Sequence, residues 1–376
     1  MEPNTNNQSK TITEQIGKSK SSELSQLLIL HKGERHIIAI QNFPDPDAIS
    51  SAFAHKLISM KYDIDVDIVY DGKISHQQNI ALIKLLDIEL IRYSESLDLS
   101  QYHGSVFIDN QGTTTSLVKK LEQAGVKPLI VVDHHERQNV LAPEFTDIRK
   151  IGATATIYTN YIKDGMLELS KSDRNHMKCA TALMHGIRSE TAELIKAKEE
   201  DLMAAAFLSN YHDPGLLGEI VNQSRSKKVM DIIHKALENR VIKDNYSISG
   251  IGYLRVEDRD AIPQAADFLA TEENVHTAIV YGIVLTDKNE ELLIGSFRTS
   301  KLTIDPDEFI KDTFGKNETG KYFGGGKQEA GGFEIPIGFL SGSSSKEYEM
   351  LKWQVYDLQV KQKIFNKIGV TEKSKD

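Results

Sequence analysis

Six residues at three places in the chain could do chemistry together. Asp45 and Asp47 lie in the segment 43–52, Asp109 follows the apolar run 105–108, and Asp133, His134 and His135 close the apolar run 128–132. Carboxylates packed side by side repel one another, and leaving water adds to the cost. A divalent cation removes both penalties. Oxygen donors mixed with imidazole suit Mn²⁺ and admit Mg²⁺, Fe²⁺ or Co²⁺. A carboxylate can bridge two such ions, and two ions activate a water and stabilise in-line displacement at phosphorus. Each acid alone has a plainer use, because an Asp after a strand is commonly a helix cap or turn former. His134 and His135 could equally be surface histidines. The coincidence of three strand ends, all with Asp and one with paired His, favours the metal reading.

Those positions need a scaffold that brings strand ends together. Short apolar strands are expected over 36–40, 65–70, 105–108 and 128–132, alternating with helices over 23–30, 47–58, 77–86 and 113–123. That alternation predicts an α/β domain with a parallel sheet. In such a sheet, ligands bind outside the carboxyl ends of the strands. Helices are expected over 154–163, 174–187, 194–208 and 225–238. From residue 246 the period changes. Strands over 248–256, 275–285 and 291–298 and helices over 262–269 and 306–314 predict a smaller α+β domain. A glycine-rich loop follows at 324–332. The expected divisions are a disordered lead-in at 1–22, a catalytic metal-binding domain at 23–208 and a helical linker at 209–244. A substrate-binding domain at 245–340 and a helical tail at 341–376 follow. The tail carries Trp353. The turn Asp213-Pro214-Gly215 lies in the linker.

The chain has 376 residues, 40% hydrophobic and 26% charged, with a net charge of −9. That balance excludes broad electrostatic binding to long duplex nucleic acid, which needs Lys and Arg against phosphates. One cysteine, Cys179, rules out an intrachain disulfide and a Cys-rich zinc site. It sits in an apolar helical stretch and reads as inert core. No long apolar run predicts a membrane span, and the cytoplasm is the expected compartment.

The segments themselves resemble a known family. Phe43-Pro44-Asp45-Pro46-Asp47-Ala48-Ile49-Ser50-Ser51-Ala52 is similar to the first motif of the DHH phosphoesterase superfamily. Phe107-Ile108-Asp109-Asn110 resembles the second, and Val131-Val132-Asp133-His134-His135-Glu136 the motif that names it. Gly186-Ile187-Arg188-Ser189-Glu190-Thr191 occupies the place of the fourth. Gly324-Gly325-Gly326-Lys327-Gln328-Glu329-Ala330-Gly331-Gly332 resembles the signature of the DHH-associated C-terminal domain. The resemblance runs from about residue 25 to 340, with all five motifs in order.

The resemblance implies roles. Asp45 binds one metal, Asp47 and His134 the other, and Asp109 bridges both. His135 contacts the substrate phosphate or orients a neighbour, and Asp133 supports the histidines from behind. Two positions depart from the family pattern: Gln41 stands where a His is usual, and Glu190 where an Asp is usual. Both fall on the ion served by Asp45. In the second domain, Arg298 and Lys327 would pair with phosphate, and Gly324, Gly325 and Gly326 would let backbone N–H groups approach it. The active site is expected in the cleft between the domains. His76 and Asn79 resemble the family's region before a helix near that cleft, with a plain cap by Ser75 as the alternative.

The implied activity is two-metal hydrolysis of phosphoester bonds in small nucleotides: linear dinucleotides, nanoRNA or adenosine bisphosphate. The cofactor is two Mn²⁺ ions, with Mg²⁺ or Co²⁺ as substitutes. Cyclic-dinucleotide phosphodiesterases share the two-domain form, and a non-catalytic nucleotide sensor is the alternative outside enzymes. The exonuclease RecJ shares the motifs but carries further domains. Inorganic pyrophosphatases share the metal motifs and end in a different domain. Family members often form homodimers, although no segment here shows one.

Overall fold

The computed structural model describes residues 19–74, 76–223, 225–286, 290–327, 329–342 and 345–370. The chain divides into two compact units after Gln223. Most of the expected lead-in lies outside the described residues, but its end does not. Ser19 accepts a hydrogen bond from Ser22 N and caps helix α1 (Lys20–Leu30), which starts three residues earlier than expected. A serine at this position satisfies an amide that the helix cannot.

The first unit is built on six parallel strands. They are β1 (Arg35–Ala39), β2 (Asp65–Tyr70), β3 (Ile91–Arg92), β4 (Gly104–Ile108), β5 (Lys127–Asp133) and β6 (Phe145–Ile148). Their order is β3-β2-β1-β4-β5-β6. Both β2 and β4 pair with β1 in parallel, so the winding reverses between β1 and β4. At such a switch point the loops after the two strands diverge and leave a crevice. The residues after β1 and β4 line it: Gln41 to Asp47 on one side, Asp109 on the other.

The sheet is covered on both faces, which is why its central strands are continuously apolar. Ile130 and Val132 of β5 enter one core; Val131 enters the other. The helices are α2 (Pro46–Lys61), α3 (Gln77–Leu86), α4 (Leu117–Gln123), α5 (Thr154–Lys163), α6 (Arg174–Glu190), α7 (Glu199–Leu208) and α8 (Pro214–Val221). Residues of α2, α5 and α6 share the first core, and Leu117 and Leu121 of α4 the second. Two expectations shift. The helix expected from residue 113 starts at Leu117. The one expected from 194 starts at Glu199, because Ala192, Glu193 and Leu194 adopt φ of 50°, 58° and 72°. That left-handed backbone cannot continue a right-handed helix. β3 and β6 were not anticipated; two- and four-residue strands are too short to show a period.

The segment 209–244, expected as a linker, is divided between the units. Asp213 accepts from Gly215 N and Leu216 N and caps α8, which packs on α3 and α6. Helix α9 (Lys227–Asn239) buries Ile232, Ile233 and Ala236 in the second unit.

The second unit continues with β7 (Val241–Lys243), β8 (Tyr246–Arg255), α10 (Ala261–Leu269), β9 (Thr277–Leu285), β10 (Glu291–Thr299), α11 (Pro306–Phe314), β11 (Gly324–Lys327), β12 (Ala330–Pro336) and α12 (Lys346–Ile368). Its sheet runs β11-β12-β10-β9-β8-β7, with only β8 and β9 parallel. The expected tail helix is part of this unit. Val360, Ile364 and Phe365 of α12 enter its core, and Lys352 forms a buried ion pair with Glu291 at 2.5 Å. No helix among the described residues is long and apolar enough to cross a membrane.

The glycine-rich loop at 324–332 is corrected to a hairpin, β11 paired with β12. Its Gln328 lies outside the described residues. Gly325, Gly326 and Gly331 are explained by α11 lying close over the hairpin. A Cβ on Gly325 would meet Asp307 Oδ1 at 2.5 Å, and one on Gly331 would meet Ile310 Cδ1 at 2.5 Å.

Candidate metal centre

Asp45 ends the loop after β1 and caps α2: its Oδ1 accepts from Ala48 N at 2.9 Å. A plain capping role is therefore present, but it uses one oxygen. The other, Oδ2, accepts from Gln41 Nε2 at 2.6 Å. The same amide nitrogen lies 3.4 Å from Asp109 Oδ2, so Gln41 bridges two acids. The loop itself is tied by Asn79, whose Nδ2 donates to Pro44 O at 3.0 Å. Ser75 lies outside the described residues, and His76 is the residue that precedes α3.

Asp47 sits in the first turn of α2 and is fully buried. Its Oδ2 accepts from Thr154 N at 2.8 Å and its Oδ1 from Ala155 N at 2.7 Å. These are the first amides of α5, whose own cap residue, Ala153, has no side chain to offer. Asp47 thus caps a neighbouring helix, where a negative charge is also favoured by the helix dipole. The close approach of α6 depends on Gly186, where a Cβ would meet Ser50 Oγ at 2.4 Å.

Asp109 follows β4 with φ of 57°. A non-glycine residue held in the left-handed region costs about 1–3 kcal/mol and persists only where its surroundings enforce it. Here Asn110 does so, donating from Nδ2 to Ala39 O and Ile108 O. The Asp109 Oδ1 accepts from Thr154 Oγ1 at 2.9 Å.

His134 is fixed from behind. Its Nδ1 lies 3.2 Å from Ile151 O. A carbonyl can only accept, so that nitrogen carries a proton and Nε2 is the ring atom turned to the acids. Nε2 faces three carboxylates: Asp109 Oδ1 at 3.5 Å, Asp47 Oδ2 at 3.7 Å and Glu190 Oε2 at 4.0 Å. Asp133 turns away from this group. Its Oδ1 accepts from His134 N, His135 N and His135 Nδ1, and its Oδ2 from Gln111 Nε2. His135 Nδ1 is bonded at 2.8 Å, which leaves its other nitrogen for a partner outside the cluster. Ligand atoms of Asp109, His134 and His135 lie within 4.8 Å of one another.

The charges follow from this packing. Burial pushes Asp109 well above the ordinary carboxylate range, with repulsion from Asp47, Asp45, Asp133 and Glu190 adding to it. Burial and Asp45 push Asp47 up to about 8. Asp45 is raised by burial as well. Burial would also raise Asp133, but the hydrogen bond and charge of His135, with Gln111, outweigh it and hold it low. Three acids are thus disfavoured as anions and one is satisfied. A divalent cation among Asp47, Asp109, His134 and Glu190 would supply the missing positive charge, and the donor set suits a Mn²⁺-like ion.

Of the residues singled out in sequence, Gln41, Asp45, Asp47, Asp109, His134, His135 and Glu190 come together, with Asp133 behind them. Thr154, Gln111 and Ile151 were missed. Thr154 offered a signal, a threonine opening an apolar helix; Ile151 acts through its carbonyl and offered none. In the second unit, Arg298 is occupied: its Nε donates to Asp267 Oδ1 and its Nη1 to Ser296 Oγ and Phe297 O. Gly326 N donates to Asp307 Oδ1 at 3.1 Å, so a carboxylate already sits where a phosphate was expected. Lys327 is exposed at the end of β11. Cys179 is fully buried, with its thiol pushed up to about 12, as expected of inert core.

No family model matches the chain. An uncharacterized protein of Methanocaldococcus jannaschii is 36% identical over 335 residues, 88% of this chain. The match spans 64% of that relative's own length. Among solved structures, an exopolyphosphatase-related protein from Bacteroides fragilis aligns with a TM-score of 0.66 at 13% identity. It covers 93% of this chain and 99% of that one. A manganese-bound RecJ exonuclease aligns at a TM-score of 0.43 and 12% identity, over 91% of this chain and 94% of that one. The first of these two structural likenesses is a likeness of fold: the chain has the DHH-type fold that its motifs implied.

Proposed function

We propose that the chain is a metal-dependent phosphoesterase that hydrolyses phosphoester bonds of small nucleotides, with the acid centre of the first unit as its active site. The observation that carries this reading is His134. Its Nε2 is aimed at three carboxylates, two of which, Asp47 and Asp109, are too buried to stay charged together. Two Mn²⁺ ions are the proposed cofactor, Mg²⁺ or Co²⁺ substituting; when bound they supply an acidified water and neutralise charge on the phosphoryl oxygens.

The protein's own groups have distinct work. Asp47, His134 and Glu190 hold one position, Asp45 and Gln41 the other, and Asp109 lies between them; Glu190, which the resemblance gave to the Asp45 ion, stands beside His134 instead. To ligate, the Gln41 amide must turn its oxygen inward, which exchanges the two ends of the group. Asp133 holds His135 through Nδ1, which leaves its second nitrogen to donate to a phosphoryl oxygen when the ring is an imidazolium. The resemblance assigns substrate grip to the second unit. There Lys327 is the better candidate, because Arg298 is engaged with Asp267.

Linear dinucleotides, nanoRNA and adenosine bisphosphate are the proposed substrates. The net charge of −9 fits a small ligand better than a long polyanion. The test is incubation with Mn²⁺ and a panel of pApA, adenosine bisphosphate, cyclic di-AMP and short RNA, with products followed. Turnover of the linear compounds supports the reading, and turnover of cyclic di-AMP alone moves it to the cyclic-dinucleotide class. One observation favours a non-catalytic sensor: Gln41 and Glu190 both depart from the family pattern, one in each half of the centre. Tight binding without turnover of any compound would establish it.

A further inference from the structure

At the opposite end of β1 from the acid centre, a second cluster is assembled from one short stretch of chain. His31 is the residue that ends α1, Glu34 lies in the turn that follows, and His36 is the second residue of β1. His31 Nδ1 lies 2.8 Å from Glu34 Oε2, and His36 Nε2 lies 3.0 Å from the same oxygen. The two rings meet edge to face, with centroids 5.5 Å apart. Ligand atoms of all three residues lie within 4.8 Å of one another.

We propose that His31, Glu34 and His36 form a binding site for a borderline divalent cation of the Zn²⁺ class, separate from the acid centre. Two imidazole nitrogens from different elements converge on one point, which is what a metal site requires and what a single hydrogen bond does not. With only Glu34 between them, each ring must keep a proton on its facing nitrogen so that both can donate to one oxygen. A cation replaces those two protons and engages all three groups at once. At a tetrahedral ion with bonds of about 2.0–2.1 Å, donor atoms stand roughly 3.3–3.5 Å apart. The His–Glu spacings of 2.8 and 3.0 Å therefore open by about half an ångström to admit the ion, within reach of side-chain rotation. The Glu144 Oε2 lies 3.9 Å from His31 Nε2, the ring's other nitrogen. A carboxylate that closes to hydrogen-bond distance at that place would orient a ligating histidine and raise its basicity.

Two nitrogens and one carboxylate select Zn²⁺, Ni²⁺ or Co²⁺ over Mg²⁺, whose preference is for oxygen alone. His36 is fully buried, while His31 and Glu34 remain partly open to solvent, which gives the ion a path in and leaves a fourth position for water. Five residues of extended chain separate His36 from Gln41, a distance of about 16 Å at roughly 3.3 Å per residue. The site would pin the end of α1 to the first strand of the sheet.

The test uses the full chain and Zn²⁺ or Co²⁺ alone. Asp109→Asn, His31→Ala and Glu34→Gln variants are loaded with metal, desalted against a weak chelator and assayed for bound metal, with folding checked by circular dichroism. Asp109→Asn should keep one equivalent that His31→Ala and Glu34→Gln lose. The Co²⁺ form of Asp109→Asn should show tetrahedral ligand-field bands that disappear in Asp109→Asn/His31→Ala. His36 is left intact because its burial makes replacement a test of folding; should His31→Ala fail to fold, Glu34→Gln alone decides. Asp109→Asn retaining no metal, or folded Glu34→Gln retaining the full count, would overturn the proposal. Neither outcome depends on whether the chain hydrolyses phosphoesters.

Discussion

On one side of Asp109, the metal-facing groups are held by main chain. Asp47 is gripped by two amides at the start of α5, and His134 by the carbonyl of Ile151. On the other side, side chains hold one another. Gln41 rests on Asp45 and Asp109 through its side-chain amide. Backbone groups are placed by the fold and cannot rotate away. A half that leans on them is preorganised; a half built from side chains can rearrange. On the proposed reading, the Asp47/His134 half sets the affinity for the first ion, while the Gln41/Asp45 half sets whether a second is held.

The strongest way to break this comparison is to remove what the halves share. Asp109→Ala should abolish hydrolysis, by about 10³-fold or more, because a bridging carboxylate serves several kcal/mol of charge stabilisation. Mn²⁺ binding should weaken at both positions in a calorimetric titration. Loss at only one position would show that Asp109 belongs to that half alone.

Next in size is pH. Asp47 is pushed up to about 8 from an ordinary 3.8. Between those values the folded, metal-free chain binds a proton that the unfolded chain does not. Its stability from this group is therefore full at low pH and falls as pH rises through the window. A cation must displace that proton, so Mn²⁺ affinity should rise up to about tenfold per pH unit from 6 to 8 and then level off. Thermal shifts with and without Mn²⁺ across that range check the sign. A flat response would remove Asp47 from the ligands.

Thr154→Val separates main-chain support from side-chain support. The amide that grips Asp47 stays, and only the hydroxyl that donates to Asp109 is lost. Groups that orient ligands typically account for 10–100-fold in metal affinity or activity. We expect a loss near the lower end, about tenfold, in kcat at saturating Mn²⁺. An unchanged kcat would leave Thr154 a purely structural residue.

Gln41→His tests the side-chain half in the opposite direction. Imidazole is a better ligand than an amide for Mn²⁺-like ions, so the weaker of two binding steps should tighten, by about tenfold, and draw nearer to the stronger one. An unchanged titration would place Gln41 outside the ligands.

How much of this was legible follows the same division. The acids announced themselves as Asp residues after strands, and the apolar runs before them gave β1, β4 and β5 because both faces of each strand are buried. The supporting groups did not. Ile151 contributes a carbonyl that any residue has, and the left-handed turn at Ala192–Leu194 carries no glycine to mark it. The glycines at 324–332 were legible as a feature and misread in kind. A phosphate-binding loop and a strand pressed under a helix both require residues without a side chain, and only the position of α11 distinguishes them.

A change outside both halves should move neither, and Lys327 provides that control. It lies exposed on β11, in the unit that holds none of the acid-centre residues. If it pairs with a distal phosphate, Lys327→Ala removes a contact made equally in the ground state and in the transition state. KM then rises several-fold with kcat unchanged. The pairing is electrostatic, so raising the salt concentration should erode the difference between wild type and variant. Mn²⁺ titrations of the two proteins should coincide. A fall in kcat with KM unchanged would instead assign Lys327 to the reacting phosphoryl group, and the division between a holding unit and a reacting centre would have to be redrawn. No effect on either constant would leave the hairpin a structural edge, consistent with Asp307 already occupying the amide of Gly326.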